Sequence, residues 1–439
     1  MKKVALITLG CAKNLVDSEV MLGFLERSGY IFVSNPEEAD IIIINTCGFI
    51  RPAREEALDA IKKAVELKRE SKRKKIIVTG CYVQKDRETL KKEFHDIDAW
   101  IGVSDFDKIT HVVEEKSFDR APDCFLYSHT SPRLLSTPPS WAYVKISEGC
   151  SHRCSFCVIP QIKGSYRSRS ISSIVKEVRG LVSMGIEEIN LISQDSTSFG
   201  RDKRMKEGLV HLLKELLRTK DLGWIRILYG YPEGITDPLL EIMQEDKICS
   251  YLDIPFQHSD PRILRNMKRG ITGMRSLRLL EKIRKKLPDV SLRTSLIVGF
   301  PGEDRKEFID LQSFVKNARF DHLGVFCYSP EKETECFSLG NPVHEREKER
   351  RRERIMQLQA QISFDINKKY LNKEIEVLIE GTLKQDASLL VGRGRFQAPE
   401  VDGFVFIPAR GKTYDVVNSI QKVEITDRDV YDLYGNLLP

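Results

Sequence analysis

Residues 147–157 have the sequence SEGCSHRCSFC, in which Cys150, Cys154 and Cys157 stand at steps of four and three residues. Zinc sites normally use two Cys-x-x-Cys pairs or added histidines, and ferredoxin-type clusters have a fourth cysteine nearby. The nearest other cysteines here, Cys124 and Cys249, are each over twenty residues away. The spacing therefore predicts an iron–sulfur cubane with one iron that has no cysteine ligand. An iron with an open coordination position can bind a further ligand and so take part in a reaction.

The pattern Cys-x-x-x-Cys-x-x-Cys with an aromatic residue before the last cysteine resembles the signature of radical S-adenosylmethionine (SAM) enzymes. The resemblance implies that Cys150, Cys154 and Cys157 hold a 4Fe-4S cluster whose open iron is chelated by SAM. It also implies that Phe156 lies near the adenine. In that family, one electron cleaves SAM to methionine and a 5′-deoxyadenosyl radical, which abstracts hydrogen from an unactivated carbon.

The composition is that of an ordinary soluble protein of two or three domains. The 439 residues are 41% hydrophobic and 31% charged, with a net charge of +6. The N-terminal apolar run is too short for a signal peptide, and no stretch approaches the roughly 20 apolar residues of a membrane helix. We expect a cytoplasmic protein without membrane contact. Ten cysteines are too dilute for a disulfide scaffold and favour metal binding.

Residues 1–120 predict a doubly wound parallel α/β domain. Apolar runs at 3–10, 41–44 and 75–80 alternate with helical patterns, and each run is followed closely by a cysteine: Cys11, Cys47 and Cys81. Ligand sites of open α/β sheets gather at the carboxyl ends of the strands. We therefore expect these three cysteines to converge and to hold a second 4Fe-4S cluster, again with one open iron.

A cysteine-bearing α/β domain followed by the radical SAM triplet resembles the methylthiotransferases over nearly the whole chain. The resemblance implies that the N-terminal cluster delivers sulfur, while SAM serves both as methyl donor and as radical source. A methyl group would pass from one SAM to sulfur at the first cluster. A second SAM would then yield the radical that activates the substrate carbon for the methylthio group. An electron donor such as flavodoxin or ferredoxin is implied, and no protein acid or base is demanded.

The middle of the chain predicts a partial (βα)6 barrel over residues 141–342, after a proline-rich linker at 121–140. Its strands are expected at 141–147, 188–193, 224–229, 248–254, 290–298 and 322–328. Polar residues at strand ends suggest SAM or substrate contacts, Gln194 among them. By resemblance to radical SAM barrels, Gly299 and Gly302 admit SAM, and Arg293 is a candidate contact for its carboxylate. For His258 a structural or substrate-orienting role is expected rather than that of a general base.

Residues 343–373 predict a solvated, charged connecting helix, whose basic residues offer a site for RNA. Residues 374–439 then change to short strands with glycine punctuation, expected at 375–380, 389–393, 403–407 and 412–425, which suit a five-stranded barrel of the OB type. The segment 398–403, APEVDG, resembles the TRAM domain of the methylthiotransferases, a module often associated with RNA.

The charge of this C-terminal part favours a protein substrate over RNA. It holds 11 acidic and 7 basic residues, a net charge of −4, against +10 for residues 1–373. A domain that grips phosphates should be basic, whereas an acidic one favours a basic partner such as a ribosomal protein. Arg393 and Arg395, in the GRGR sequence at 392–395, instead favour RNA as a partner, because a pair of arginines could bind it.

Three motifs bear on which methylthiotransferase the chain resembles: KISEGC at 145–150, YPEGIT at 231–236 and DIPFQHSD at 253–260. They are similar to the branch that methylthiolates the β-carbon of an aspartate in protein S-twelve of the small ribosomal subunit, although Phe256 stands where leucine is expected. The alternative in the same family is a tRNA methylthiotransferase of the MiaB type. A non-enzymatic alternative is an iron–sulfur redox sensor that binds RNA through its C-terminal barrel.

Overall fold

A computed structural model of the chain describes residues 1–71, 73–115, 125–409 and 413–438. The predicted boundary at residue 120, the first residues of the linker, and Cys124 lie outside these ranges. The chain forms two compact units, one of residues 1–136, 145–153 and 157–174, and the other of residues 137–144, 154–156 and 175–439. No helix in the described ranges is both long and apolar enough to cross a membrane.

The N-terminal domain is the predicted parallel sheet with helices between its strands. Five strands pair in the order β2-β1-β3-β4-β5, and every pairing is parallel. Strand β3 is buried along its whole length, which explains its run of four isoleucines. The elements are β1 (Lys3–Thr8), α1 (Ala12–Arg27), β2 (Ile31–Phe32), β3 (Ile41–Thr46), α2 (Arg51–Glu70), β4 (Lys75–Gly80), α3 (Cys81–Glu93), β5 (Ala99–Ile101) and α4 (Ile109–Val113).

The described part of the predicted linker packs on helix α1 up to residue 136. Arg133 forms an ion pair with the buried Glu19 at 2.6 Å, and Leu134 N donates to Glu19 O. Gly23 permits this approach, since a Cβ there would lie 2.4 Å from Arg133 N. Residues 125–136 therefore belong to the N-terminal packing and are not a free tether.

The central region contains the six predicted strands in two sheets of three, ordered β10-β9-β6 and β11-β12-β13. A single parallel bridge between Ile225 and Ile248 joins β10 to the segment before β11, so β11 is shorter than the predicted strand. The elements are β6 (Trp141–Lys145), β7 (Ser147–Glu148), α5 (Ile159–Lys163), β8 (Arg167–Ser168), α6 (Ile171–Ser183), β9 (Glu188–Ile192), α7 (Gly208–Leu217), β10 (Trp224–Ile227), α8 (Asp237–Ile242), β11 (Tyr251–Asp253), α9 (Pro261–Asn266), α10 (Gly273–Lys286), β12 (Ser291–Val298), α11 (Arg305–Ala318), β13 (His322–Cys327) and α12 (Glu345–Asn367).

The C-terminal region is a closed barrel of five strands in the order β14-β15-β16-β18-β17. The predicted strand at 412–425 is wrong in its first half. The chain forms a short helix there, and Asn418 has a φ of +65°, a left-handed conformation that ends the helix and lies outside the range of strands. The elements are β14 (Glu374–Leu383), β15 (Asp386–Gly394), β16 (Val405–Pro408), α13 (Thr413–Val416), β17 (Ile420–Arg428) and β18 (Leu433–Leu437).

Helix α12 is less solvated than predicted. It packs against β13, and Lys348 is fully buried, with its Nζ donating to Tyr328 O at 2.7 Å. Arg351 is also buried and donates to Glu303 Oε1 at 2.6 Å. Two of the charged residues that suggested a solvated face are therefore internal partners of the central barrel.

Candidate functional site

The sheet of the N-terminal domain brings Cys11, Cys47 and Cys81 to one edge, as predicted. Cys11 caps helix α1, Cys47 follows β3, and Cys81 is the first residue of α3. Cys11 is exposed, Cys47 half-buried and Cys81 buried. Within the described ranges, no group of three or more His, Cys, Asp or Glu side chains has an arrangement that could hold a metal ion as it stands. Thiolates are the usual ligands of iron–sulfur clusters, so the three cysteines are of the right chemical type, and the second cluster stays a prediction.

The loops that carry these cysteines are held by amide side chains that sequence reasoning missed. Asn14 is buried, and its Nδ2 donates to both Leu9 O and Thr46 O at 3.0 Å. Its Oδ1 accepts from Cys81 Sγ at 3.6 Å. Asn45 Nδ2 donates to Asn14 O at 2.9 Å. Asn14 therefore ties together all three loops, and its position three residues after Cys11 is the only local signal of this role.

Burial disfavours the ionised forms of two of these thiols, Cys47 and Cys81. It raises the pKa of Cys47 to about 11, and the neighbouring Cys11 adds to the effect. Burial also raises the pKa of Cys81, while the nearby Lys163 ammonium opposes that rise and Cys47 and Cys11 support it. The pKa of Cys47 is thus affected by Cys11, and that of Cys81 by both Cys47 and Cys11. Bound iron would supply the positive charge that deprotonates such thiols.

A buried cluster of two lysines and two carboxylates lies beside Cys81. Lys145 Nζ contacts Asp17 Oδ1 and lies 2.6 Å from Glu148 Oε2. Lys163 Nζ lies 3.1 Å from Asp17 Oδ2 and 3.7 Å from Glu148 Oε2. All four side chains are almost fully buried, so their charges must satisfy one another. The cluster joins helix α1 to the strand before the cysteine triplet and to the helix after it.

The triplet occupies the loop between β7 and α5, and its three cysteines are half-buried. Gly149 has a φ of +78°, and a Cβ there would lie 2.2 Å from Ser165 O, so only glycine fits before Cys150. Cys150 N donates to Gly164 O at 3.1 Å. Backbone contacts thus fix the loop at its first cysteine.

Phe156 and the loop after β12 lie side by side. Phe156 packs against a buried cluster that includes Ile297, Phe300 and Tyr328. Gly299 and Gly302 have φ values of +72° and +93°, which shape the turn. This juxtaposition fits the predicted role of Phe156 and the two glycines around SAM, which remains a prediction.

Glu303 holds that turn in place. Its Oε2 accepts from Gly299 N at 3.0 Å and lies 3.2 Å from His258 Nε2. His258 is fully buried, and its Nδ1 accepts from Asp260 N at 3.0 Å. Both ring nitrogens are therefore engaged within the fold, which agrees with a structural role for His258 rather than that of a base.

Three family profiles match the chain. They are the Uncharacterized protein family UPF0004 over residues 3–102, the Radical SAM superfamily over residues 144–315, and the TRAM domain over residues 373–438. The order and extent of the three matches agree with the three folded regions described above.

Relatives match over the whole chain. The ribosomal protein uS12 methylthiotransferase RimO of Citrifermentans bemidjiense is 43% identical over 444 residues, which is 100% of this chain and 98% of that protein. This chain belongs to the RimO family. The RimO protein of Syntrophus aciditrophicus is 45% identical and covers 99% of this chain and 98% of its own length. Membership in this family makes the chain a radical SAM methylthiotransferase.

Among solved structures, the radical SAM methyltransferase TsrM from Kitasatospora setae, with cobalamin and a [4Fe-4S] cluster bound, is similar with a TM-score of 0.56. The sequence identity is 15%, and the match covers 76% of this chain and 77% of TsrM. At that identity the likeness concerns the fold alone.

The structure does not place Arg293 where the sequence suggested. Arg293 is the third residue of β12, and its Nη1 donates to Asp402 Oδ1 at 2.6 Å and to Val401 O at 3.3 Å. Its guanidinium therefore faces the C-terminal barrel near the amino end of the strand. We leave Arg293 out of the proposed SAM site. Gln194 stays a candidate contact and is half-buried, two residues after the carboxyl end of β9.

The two arginines of the GRGR sequence, Arg393 and Arg395, also make contacts within the second compact unit. Arg393 is fully buried and lies 2.6 Å from Glu188 Oε2, at the first residue of β9, and 2.5 Å from Glu380 Oε1. Arg395 donates to Ile248 O at 3.1 Å and stacks over Trp224. Both arginines fasten the C-terminal barrel to the central one, so they are not available to grip RNA as the sequence allowed.

Proposed function

We propose that this chain methylthiolates ribosomal protein uS12 at the β-carbon of an aspartate, with two 4Fe-4S clusters and SAM. The observation that carries the proposal is full-length identity of 43% and 45% to RimO proteins whose names state uS12 as substrate. The Radical SAM profile supports SAM and one cluster at Cys150, Cys154 and Cys157. The convergence of Cys11, Cys47 and Cys81 supports the second cluster.

Different residues of the chain have different roles in the proposed reaction. The bound cofactors supply the radical and the sulfur chemistry. Gly299, Gly302 and Phe156 form the side of the SAM site that the turn after β12 provides. Asn14 and the buried Lys145 cluster hold the cysteine loops of the N-terminal unit rigid. No side chain is assigned to move a proton, because hydrogen leaves the substrate carbon as an atom.

A protein substrate also fits the surface charge of the C-terminal barrel. Of its basic residues, Arg393 and Arg395 are committed to the central barrel, and Arg428 stacks over Phe364 of helix α12 at 3.7 Å. The acidic residues Glu424, Asp427 and Asp429 are exposed. Such a surface repels phosphates and attracts a basic protein.

An aromatic pair on the C-terminal barrel also fits a protein substrate. Phe406 and Tyr434 stack with ring centroids 5.7 Å apart, a feature that nucleic-acid barrels use to hold bases. Around Tyr434, however, partial burial and then Asp429, Asp432 and Asp427 raise the pKa of the phenol. Three carboxylates therefore act on the stack, and we propose that it contacts a protein rather than RNA.

The proposal also includes a place of action and an electron donor. Because uS12 is a ribosomal protein, we propose that the enzyme works in the cytoplasm. A small low-potential carrier such as flavodoxin or ferredoxin is proposed as the electron donor. Any contact of this enzyme with RNA would then be secondary to its contact with the protein substrate.

The proposal is tested by removing one cysteine of the triplet. The Cys154→Ala enzyme, reconstituted and reduced without oxygen, is expected to release no methionine from SAM and to leave the mass of uS12 unchanged. The absorbance of the N-terminal cluster should persist. Cys327→Ala is the matched control, since Cys327 is equally half-buried but lies outside both cysteine sets. SAM cleavage by the Cys154→Ala enzyme would overturn the radical assignment.

A further inference from the structure

Arg269 lies directly behind the middle cysteine of the triplet. It follows helix α9 in a tight turn, with its own N–H donating to Leu264 O at 2.8 Å. Its side chain is buried, and Nη1 donates to Cys154 Sγ at 3.7 Å. Nothing in the sequence indicated a role for Arg269, because it lies 115 residues after Cys154.

Two further contacts fix the guanidinium in this position. Nη2 donates to Pro255 O at 2.5 Å, and the guanidinium carbon lies 3.9 Å from the centre of the Tyr231 ring. Arginine suits such a site because its planar fork donates in fixed directions while one face stacks on an aromatic ring. The orientation toward Cys154 is therefore built into the fold.

One donor of this side chain remains unused by the protein. Arg269 Nε is buried and has no hydrogen-bond partner among the described residues. Buried donors are almost always paired, so an unpaired one beside a cysteine ligand points to an acceptor that arrives with a ligand. Inorganic sulfide and SAM both offer acceptors of this kind.

Charge and hydrogen bonding at a cluster sulfur alter how readily the cluster takes up an electron. Reduction adds negative charge, which a nearby cation stabilises, and the potential of a cluster depends on hydrogen bonds to its sulfurs and on local charge. Arginine stays protonated in proteins, and a buried charge is little screened by salt. The effect of Arg269 on Cys154 should accordingly be strong and independent of pH.

We propose that Arg269 is a positioning residue that raises the reduction potential of the cluster held by Cys154 and thereby eases the electron uptake that precedes SAM cleavage. The electron would come from an external one-electron donor of low potential and would be consumed when the sulfonium carbon–sulfur bond of SAM breaks, which yields methionine and a 5′-deoxyadenosyl radical. The inference rests on the proposed cluster at Cys150, Cys154 and Cys157. It does not depend on the identity of the substrate.

The first test is a potentiometric titration followed by electron paramagnetic resonance. The full-length chain carries Cys11→Ala, Cys47→Ala and Cys81→Ala, so that only the cluster of the triplet is observed. In Arg269→Gln, which removes the charge but retains an amide donor, we expect about a tenfold fall in the ratio of reduced to oxidised cluster at a fixed potential. For a one-electron couple this corresponds to a shift of about 59 mV toward more negative potential.

Lys268→Gln is the matched control. It removes the same charge one residue away, but Lys268 is exposed and pairs at the surface with Glu335 at 2.6 Å. Its potential should equal that of the parent chain. Arg269→Lys keeps the charge without the planar fork and is expected to lie between the parent and Arg269→Gln.

An unchanged potential in Arg269→Gln would overturn the proposal. If Arg269→Gln fails to hold four irons per chain, Arg269→Lys decides, and a potential equal to that of the parent would then overturn it. Failure of the proposed function is distinguishable, since it would appear as absence of SAM-responsive cluster signal in the parent chain itself.

Reductant dependence gives a second readout that a purely structural role would not move. Methionine release from SAM by Arg269→Gln should be slow with dithionite and should recover with titanium(III) citrate, a stronger reductant. Equal impairment with both reductants would mean that Arg269 only maintains the shape of the site, and would contradict the proposal.

Discussion

At Gly10 the backbone runs so close to Cys47 that no side chain fits between them. A Cβ at this position would lie 2.6 Å from Cys47 Cβ, and the φ of +94° is itself unfavourable for other residues. We predict that Gly10→Ala displaces Cys47 and abolishes iron binding at the N-terminal cysteines. The measurement is iron content in a chain that lacks the triplet cysteines.

Gly29→Ala separates the effect of backbone strain from the effect of a close approach to Cys47. Gly29 has a similar φ of +81°, but a Cβ there meets nothing within 4 Å. It should show only the conformational cost, about 1–3 kcal/mol, with iron content unchanged. Equal iron loss in both variants would mean that backbone strain, rather than the approach to Cys47, accounts for the result.

Asn14 provides a second prediction at the scale of one residue. Asn14→Ala leaves the carbonyls of Leu9 and Thr46 without their donors in a buried site, which should cost about 1–3 kcal/mol in the free energy of unfolding. Iron content at Cys11, Cys47 and Cys81 should fall with it. Urea denaturation and iron analysis measure the two effects. Asn341→Ala, which removes an exposed contact to Glu345, is the control and should change neither.

The positions of the three cysteines follow from the sequence, whereas those of Asn14 and Arg269 do not. Cys11, Cys47 and Cys81 were predicted to converge because each follows an apolar strand, and parallel strands share one edge. Asn14 and Arg269 could not be identified in this way. Their roles depend on loops that are far apart in sequence and meet only in the folded chain.

The elements around the triplet are joined by the buried charges of Lys145, Asp17, Glu148 and Lys163. Lys145→Met should leave two buried carboxylates with a single cation, at a cost of about 3–5 kcal/mol in the free energy of unfolding. Urea denaturation provides the measurement. Lys282→Met, which breaks an exposed pair with Asp237 at 2.9 Å, should leave stability unchanged. Equal effects of the two substitutions would contradict the assigned role of burial.

Elements were predicted better than the directions of their polar side chains. The six central strands follow from apolar runs between helical patterns, which report local burial. Arg293 illustrates the limit, because its strand was predicted while its partner, Asp402, lies over a hundred residues further along the chain. The break before β17 was missed for another reason, since the apolar residues on both sides of Asn418 hide the turn.

At the scale of the molecule, the C-terminal barrel is fastened to the central one by buried ion pairs that depend on ionised carboxylates. Burial acts to raise the pKa of Glu188, but Arg393 and then Arg226 outweigh it and hold that pKa below its usual value. A carboxyl group with a lowered native pKa stabilises the fold above its unfolded pKa of about 4.3, and this contribution is lost as the pH falls through the native value.

We therefore predict a steep loss of thermal stability below about pH 4 that involves Glu188. Calorimetry across this pH range measures it. In Glu188→Gln, which cannot ionise, the pH dependence should be shallower, whatever its stability at neutral pH. An identical slope in the two proteins would show that Glu188 does not carry the effect.

Substrate choice distinguishes modification of ribosomal protein from modification of RNA by this member of the RimO family. The reduced, reconstituted enzyme is supplied with SAM and offered uS12 and bulk tRNA in parallel without oxygen, and mass spectrometry follows both. We predict one methylthio group on uS12, located on an aspartate side chain, and none on tRNA. Methylthiolation of tRNA with uS12 unchanged would contradict this prediction.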